Sequence, residues 1–350
     1  MSASRKLENV GSACSPQDLV GNSTPLRSTG AINWGHFIGH TRFSLLAPDS
    51  PSWRLSRETK KASSFEDYKN ALFDERRLTA RADIFLNNTL PILDIARRQH
   101  ELIHVVSYSN ELPDEYRSRL EEAAAQYCWL KLDPRDDGAS EGLSSHKLVR
   151  QNFKKGTHYG FYRLDDDDIL SSSYFDQASR YLKEPFQGMV LSLARGVQAF
   201  YKNGEFLSPR IEHRPKIALG LMGVCYYTDS GKIVEPKSIS HTKTDLANPV
   251  ILDSSEISYV HTMHATQDSG IAKPDDDFER RLYNYLRQES LGAVSVKLEE
   301  LFPSVAFTEA TAEQITSLIK PQSGRRRDLV RNTATSLVTQ LKRKWWSRIH

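Results

Sequence analysis

His158-Tyr-Gly-Phe-Tyr-Arg-Leu164 runs without a break into Asp165-Asp166-Asp167-Asp168, and the reading of this stretch decides the fold. The first seven residues are aromatic and apolar without a helical period, so they read as a buried strand, His158 to Leu164. Upstream, Glu141 to Lys155 reads as a helix stopped by Gly156, and Cys128 to Leu132 as a strand ended by Asp133-Pro134. Asp114 to Tyr127 places Tyr116, Leu120, Ala123, Ala124 and Tyr127 on one helical face. Leu102 to Tyr108 is a strand, helices begin at Ser64, and His40 to Leu46 is the first strand. Strands and helices that alternate in this way build a parallel sheet covered on both faces. Right-handed crossovers bring the carboxyl ends of its strands to one edge, where open α/β sheets bind ligands. The four aspartates belong to that edge. Downstream, Gly188 to Tyr201, the turn signal Asn203-Gly204 and Phe206 to Ile211 read as an antiparallel hairpin. The expected fold is therefore α/β, a mixed, mainly parallel sheet with helices on both faces and an antiparallel extension.

The chain has 350 residues, 39% hydrophobic and 26% charged, the composition of a globular protein. No run of 18 apolar residues and no secretory-type leader stands out, so a cytoplasmic protein is expected. Cys14, Cys128 and Cys225 are far apart, which argues against a disulfide framework or thiolate zinc site and suggests packing roles for all but Cys14, which stands in a polar leader. Residues 1–30 are rich in Ser, Gly, Asn and Pro and read as a disordered leader, 31–300 as the catalytic domain, and 301–350 as a helical basic extension. The net charge of +3 is concentrated in that extension. The rest is slightly acidic, which excludes a basic body for nucleic acid.

Four adjacent carboxylates at a strand end repel one another unless a cation or several donors neutralise them. A hard divalent ion, Mn2+ or Mg2+, is the natural partner. In a strand, Asp165 and Asp167 point to one side, an Asp-x-Asp metal site, and leave Asp166 and Asp168 for a donor or ribose hydroxyls. A solvated acidic loop capping the helix near Ser171 and Ser172 is the simpler alternative. A calcium loop would need a Gly and a bidentate Glu that are missing.

Phe161-Tyr-Arg-Leu-Asp-Asp-Asp-Asp-Ile-Leu, with His40-Thr-Arg-Phe and Leu78 to Pro91, resembles the rhamnosyltransferase family, whose members are similar to nucleotide-sugar-dependent glycosyltransferases of the GT-A fold. The likeness spans roughly residues 33 to 290 and includes Tyr259-Val-His-Thr-Met-His-Ala-Thr-Gln-Asp-Ser. The resemblance implies a nucleotide-sugar donor, a metal on Asp165 and Asp167, and sugar transfer, rhamnose by the family's name, to a glycan or lipid-linked acceptor hydroxyl. It also implies a downstream histidine at the metal, His264, with His261 as its near rival. Thr41 and Arg42 become candidates for touching the donor, and Arg150 and Arg163, with Arg77 and Arg81 behind them, for neutralising diphosphate or orienting the aspartates. An inverting transferase needs a carboxylate base between motif and histidine, where Glu205, Glu212, Asp229, Glu235, Asp245, Asp253 and Glu256 stand. Asp245, in the polar segment His241-Thr-Lys-Thr-Asp, is favoured, with Asp253 next.

The segment from Arg325 to His350 mixes Leu, Val, Trp345 and Trp346 with Lys and Arg, a pattern suited to peripheral contact with a membrane surface or to packing as a soluble helix. A phosphotransferase or hydrolase is a weaker reading, since no G-x-x-x-x-G-K-[ST] loop is present. A non-catalytic sugar-nucleotide or glycan-binding module of the same fold is the alternative from another class.

Overall fold

The computed structural model describes residues 34–47, 65–136, 142–264 and 298–310. The leader, the cap at Ser64, the residues after His264 and the basic segment from Arg325 lie outside the described residues. Four strands, β1 (Gly35–Phe43), β2 (His100–Ser109), β3 (Leu130–Arg135) and β4 (Thr157–Arg163), alternate with helices in the expected order. α1 (Phe65–Leu72), α2 (Glu75–Ala82), a π-helical segment (Asp83–Thr89) and α3 (Leu90–Ala96) link β1 to β2; α4 (Asp114–Gln126) and α5 (Ser145–Asn152) complete the series. Asp74 caps α2, its Oδ1 accepting the Arg77 N–H at 3.2 Å, and Pro91 sits in the first turn of α3, where its missing N–H costs nothing.

β1 pairs in parallel with β2 on one side and β4 on the other, and β3 lies outside β2. Chain order thus becomes the spatial order β3-β2-β1-β4, which reverses direction between β1 and β4. That switch point opens a crevice beyond the carboxyl ends of the two strands. Strand alternation fills both faces. Phe37 and Phe43 pack with Leu78, Phe85 and Leu93 on one face, while Ile38 packs with Leu148, Val149 and Phe153 of the α5 region on the other.

After β4 the chain enters a second sheet at β5 (Ile169–Leu170) and continues through α6 (Tyr174–Ser179). The stretch read as one strand from Gly188 to Tyr201 is two, β6 (Val190–Leu193) and β7 (Arg195–Lys202), because the chain changes sheets at Ala194. β8 (Glu205–His213) forms the expected hairpin with β7; Asn203 and Gly204 both have positive φ, as a tight two-residue hairpin turn requires. β9 (Met222–Tyr227) returns antiparallel between β4 and β6, β10 (Ile233–Val234) flanks it, and β11 (Val250–Asp253) runs parallel to β6. β12 (Tyr259–Met263) lies between β7 and β5. α7 (Leu298–Leu301) precedes β13 (Phe307–Thr308), which pairs with β8, and Phe302 and Val305 are buried. The folded unit therefore runs past the expected boundary at residue 300.

The first sheet has the order β11-β6-β9-β4-β1-β2-β3, mainly parallel, and the second β13-β8-β7-β12-β5, so the expected architecture is observed. Among the described residues, no helix is long and apolar enough to cross a membrane. Cys225 is a buried free thiol, as a packing role requires.

Gly39 sits where the rings of His104 and Tyr162 close over β1, and a Cβ there would overlap both. Gly39→Ala is expected to lower stability by about 1–3 kcal/mol through overpacking, read from urea unfolding.

Candidate functional site

The acidic corner is the hinge between the two sheets. β4 ends at Arg163, and the Asp168 N–H bonds the Asp165 carbonyl at 3.2 Å, which closes a turn over the four aspartates. In a turn, side chains two apart do not share a face, and here they diverge. Asp165 faces outward and accepts hydrogen bonds from Arg163 Nε at 3.0 Å and Nη2 at 2.7 Å. Asp166, Asp167 and Asp168 are buried. Asp165 and Asp167, expected together at a metal, have different partners here, Arg163 and Arg81.

Arg81, on the buried side of α2, supplies the internal cation. Its Nη1 donates to Asp166 and its Nη2 lies 3.0 Å from Asp167 Oδ2, with 5% of its side chain exposed. The Ser44 N–H also donates to Asp166, at 3.3 Å. Arg77 lies one helical turn earlier and donates to Ser44 Oγ at 2.8 Å and to the Leu72 carbonyl at 2.9 Å, which fixes the segment that carries the Ser44 N–H. Asp167 Oδ2 additionally faces His264 Nε2 at 3.1 Å. Asp168 accepts the Thr262 N–H at 3.1 Å, while its carbonyl accepts the Thr89 hydroxyl at 3.0 Å.

These contacts give the carboxyls opposite properties. Burial opposes ionisation of Asp167, but the Arg81 guanidinium and the His264 hydrogen bond outweigh it and hold the group well below the usual carboxylate range. Burial, with the charges of Asp167 and Asp165, pushes Asp168 well above that range. Burial also lowers His264 against the pull of Asp167, which favours a neutral imidazole. An ionised Asp167 only accepts, so His264 Nε2 carries the hydrogen of this contact, and Mn2+ or Mg2+ would take the pair as ligands only by displacing that hydrogen. Among the described residues, no group of three or more His, Cys, Asp or Glu is arranged to hold a metal, so the fit is that of a two-ligand site.

Around the switch point, Arg42, Arg135 and Arg163 form a rim of net positive charge in which Arg135 is paired with Asp133 at 2.7 Å and Arg163 with Asp165. Burial and then the charges of Arg163 and Arg135 lower Arg42, a mark of their mutual proximity. His40, pushed to about 4 by burial and then by Arg42, faces Ser107 Oγ at 2.8 Å, and that hydroxyl donates to Asp133 at 2.5 Å. Thr41, expected to touch a donor, is fully buried. Its hydroxyl donates to the Leu164 carbonyl at 2.8 Å and lies 2.9 Å from His104 Nε2, so its hydrogen bonding is spent inside the sheet. Arg150 is also corrected: it is exposed in the last turn of α5, which leads to the start of β4, a strand length of about 20 Å from the acidic corner.

Of the candidate bases, Asp245 is exposed, with its carboxylate on Lys216 Nζ at 2.7 Å. The hydrogen bond from Lys216 lowers it further, so it is a weak base away from the buried corner. Asp253 accepts from the Tyr181 hydroxyl at 2.8 Å. Glu212 differs from both. It is buried on β8, faces His261 Nδ1 at 3.1 and 3.2 Å, and is close enough to Asp168 for its charge to act there.

The sequence profile of the family described as "Putative rhamnosyl transferase" matches residues 36–276, more than half of the chain. The chain belongs to that family. It is therefore a glycosyltransferase. Solved structures of S. aureus TarS are similar at lower levels. The 1–349 fragment in complex with UDP-GlcNAc shares 12% identity over 76% of this chain and 68% of that one, with a TM-score of 0.36. The same fragment in complex with UDP shares 13% over 88% and 91%, with a TM-score of 0.33. No curated protein matches the chain.

Arg81→Met leaves two buried carboxylates without their cation and is expected to cost about 3–5 kcal/mol in denaturant unfolding. Asp168→Asn keeps the acceptor for Thr262 without the charge. A carboxyl raised in the folded state favours folding below its ordinary pKa, and that contribution is lost as pH rises towards the folded value. Asp168→Asn should therefore raise the melting temperature by a few degrees, about 2–4 °C, with the gain growing from pH 4 to pH 8.

Proposed function

We propose that this glycosyltransferase moves a sugar, rhamnose by its family description, from a nucleotide-sugar donor to an acceptor hydroxyl on a glycan or lipid-linked glycan, with inversion. The observation that carries this reading is the pairing of a positive rim, Arg42, Arg135 and Arg163, with an ionised Asp167 facing a neutral His264 at one switch-point crevice.

Asp167 and His264 would hold the divalent cation, Mn2+ or Mg2+. When bound, such a cation stabilises the negative charge that grows on the departing diphosphate. The chain's own groups do the rest. Arg42 and Arg163 present guanidinium forks that match phosphate oxygens. Asp165, half-exposed at the crevice and oriented by Arg163, is placed for a ribose or sugar hydroxyl. Asp166, buried on Arg81 and Ser44, supports the corner from behind and has no free face for a donor. Arg81 keeps Asp167 ionised before any ligand arrives.

Uridine and deoxythymidine diphosphates should raise the melting temperature, more with Mn2+ than after EDTA treatment. Asp167→Asn should remove the Mn2+-dependent part and keep a smaller, metal-independent shift. No stabilisation by any nucleoside diphosphate would overturn the reading. Stabilisation without hydrolysis of any nucleotide sugar would make the chain a binding module.

A further inference from the structure

The polar cluster next to the acidic corner is absorbed neither by the metal pair nor by the positive rim. It is assembled from three strands and a loop: Gln198 on β7, Glu212 on β8, His261 on β12, and Arg214 just after β8. Glu212 is buried to 7% exposure although it carries a carboxylate, and His261 keeps 19% of its side chain accessible. Burial opposes the Glu212 charge, but His261 and Arg214 outweigh it and keep the group ionised below the ordinary carboxylate range.

The hydrogen-bond geometry fixes the imidazole. Its Nδ1 has the two Glu212 oxygens at 3.1 and 3.2 Å, closer than Arg214 Nη1 at 3.3 Å or the Gln198 amide nitrogen at 3.5 Å. An ionised carboxylate only accepts, so Nδ1 carries the hydrogen and Nε2 is left with its lone pair. A carboxylate that holds one nitrogen of a partly accessible imidazole is the arrangement of a positioned base.

The cluster also lies beside the acidic corner, close enough for the Glu212 charge to act on Asp168. The residue after His261 is Thr262, whose N–H holds Asp168, and two further on His264 meets Asp167. On the other strand, the chain leaving Glu212 passes Arg214 and reaches Gly220, whose N–H bonds the Arg163 carbonyl at the root of the aspartate turn at 3.0 Å. The dyad thus borders the same edge as the acidic corner, three residues along β12 from the proposed metal ligand.

We propose that His261 is the general base of the transfer and that Glu212 is its positioning residue, in place of the exposed Asp245. This rests on the glycosyl-transfer reading above. His261 Nε2 takes the proton as the acceptor O–H bond breaks, the acceptor oxygen bonds the anomeric carbon, and the bond to the diphosphate breaks with its electron pair leaving on the diphosphate. With water as acceptor, the same step hydrolyses the donor.

The experiment has two arms on the full chain. In the first, 15N NMR of histidine-labelled protein reads the His261 tautomer. The Nδ1–H form is expected in the wild type and its loss in Glu212→Gln; an Nε2–H form in the wild type overturns the proposal whatever the substrate. In the second, UDP binding by calorimetry and hydrolysis of UDP-glucose, UDP-N-acetylglucosamine and dTDP-rhamnose are measured for wild type, His261→Gln and Glu212→Gln. Unchanged UDP affinity with hydrolysis reduced about 100-fold in His261→Gln is expected. Glu212→Gln should also slow hydrolysis at unchanged UDP affinity, because the imidazole loses the carboxylate that fixes its Nδ1. Wild-type hydrolysis retained by His261→Gln overturns the base assignment and leaves the donor reading standing. A wild type that binds no nucleotide overturns the donor reading, and the base assignment with it.

Discussion

The structure depends most on one guanidinium. Arg81 reaches from α2 into the hinge between the two sheets and meets Asp166 and Asp167 together, across 85 residues of sequence from the former. Three buried carboxylates in a row could not coexist if all were ionised and none were countered. The solution is a division of labour. Asp166 and Asp167 share Arg81, Asp168 is pushed towards its protonated form, and Asp165 escapes to the surface onto Arg163. Each aspartate has a different partner, so the four are chemically distinct despite being identical in sequence.

The turn that separates them has a second consequence. It passes the chain from the mainly parallel sheet, which supplies the positive rim at β1 to β4, to the second, mixed sheet, which supplies His261 and Thr262 on β12 and His264 just after it. Val260 pairs with Ile169 immediately after the aspartates, so the register of β12 against β5 sets which residues of that strand meet the corner. A slip of one residue would exchange the faces of every side chain on β12 and remove His264 from Asp167. The two-residue strand β5 is short, and its register is held by the hydrogen bond from Thr262 to Asp168 and that from Thr89 to the Asp168 carbonyl.

The parts of the fold legible in the sequence were those with a period. β1 to β4 and the helices between them alternate because apolar spacing differs between strand and helix, and the Asn203-Gly204 hairpin announces itself through residues that tolerate positive φ. The site was less legible, for identifiable reasons. Alternation placed Asp165 beside Asp167 only on the premise of a strand, and a turn follows none of that periodicity. Arg81 stood with Arg77 among the weaker candidates for orienting the aspartates, because a polar helix face is ordinarily solvated and nothing local marks that both arginines are buried. Thr41 was expected near the start of a strand from His40 to Leu46 but lies near the carboxyl end of β1, and its inward orientation depends on His104 and Leu164, which are far away in sequence. Glu212 stood among seven candidate carboxylates, and burial alone, invisible in spacing, separates it from Asp245.

The charge balance at the corner also bears on how ligands would enter it under the proposed function. Asp167 is already neutralised by Arg81, so a divalent cation arriving alone gains less there than at an uncompensated carboxylate, and it meets the repulsion of a guanidinium nearby. A diphosphate brings the missing negative charge and gives the cation, Arg81 and the rim of Arg42 and Arg163 a common partner. Electrostatics therefore couples the two ligands: each improves the site for the other by the same factor, since linkage of equilibrium binding is reciprocal. A corner built with its own internal cation keeps its shape when empty and reserves strong cation binding for the moment when the donor is present.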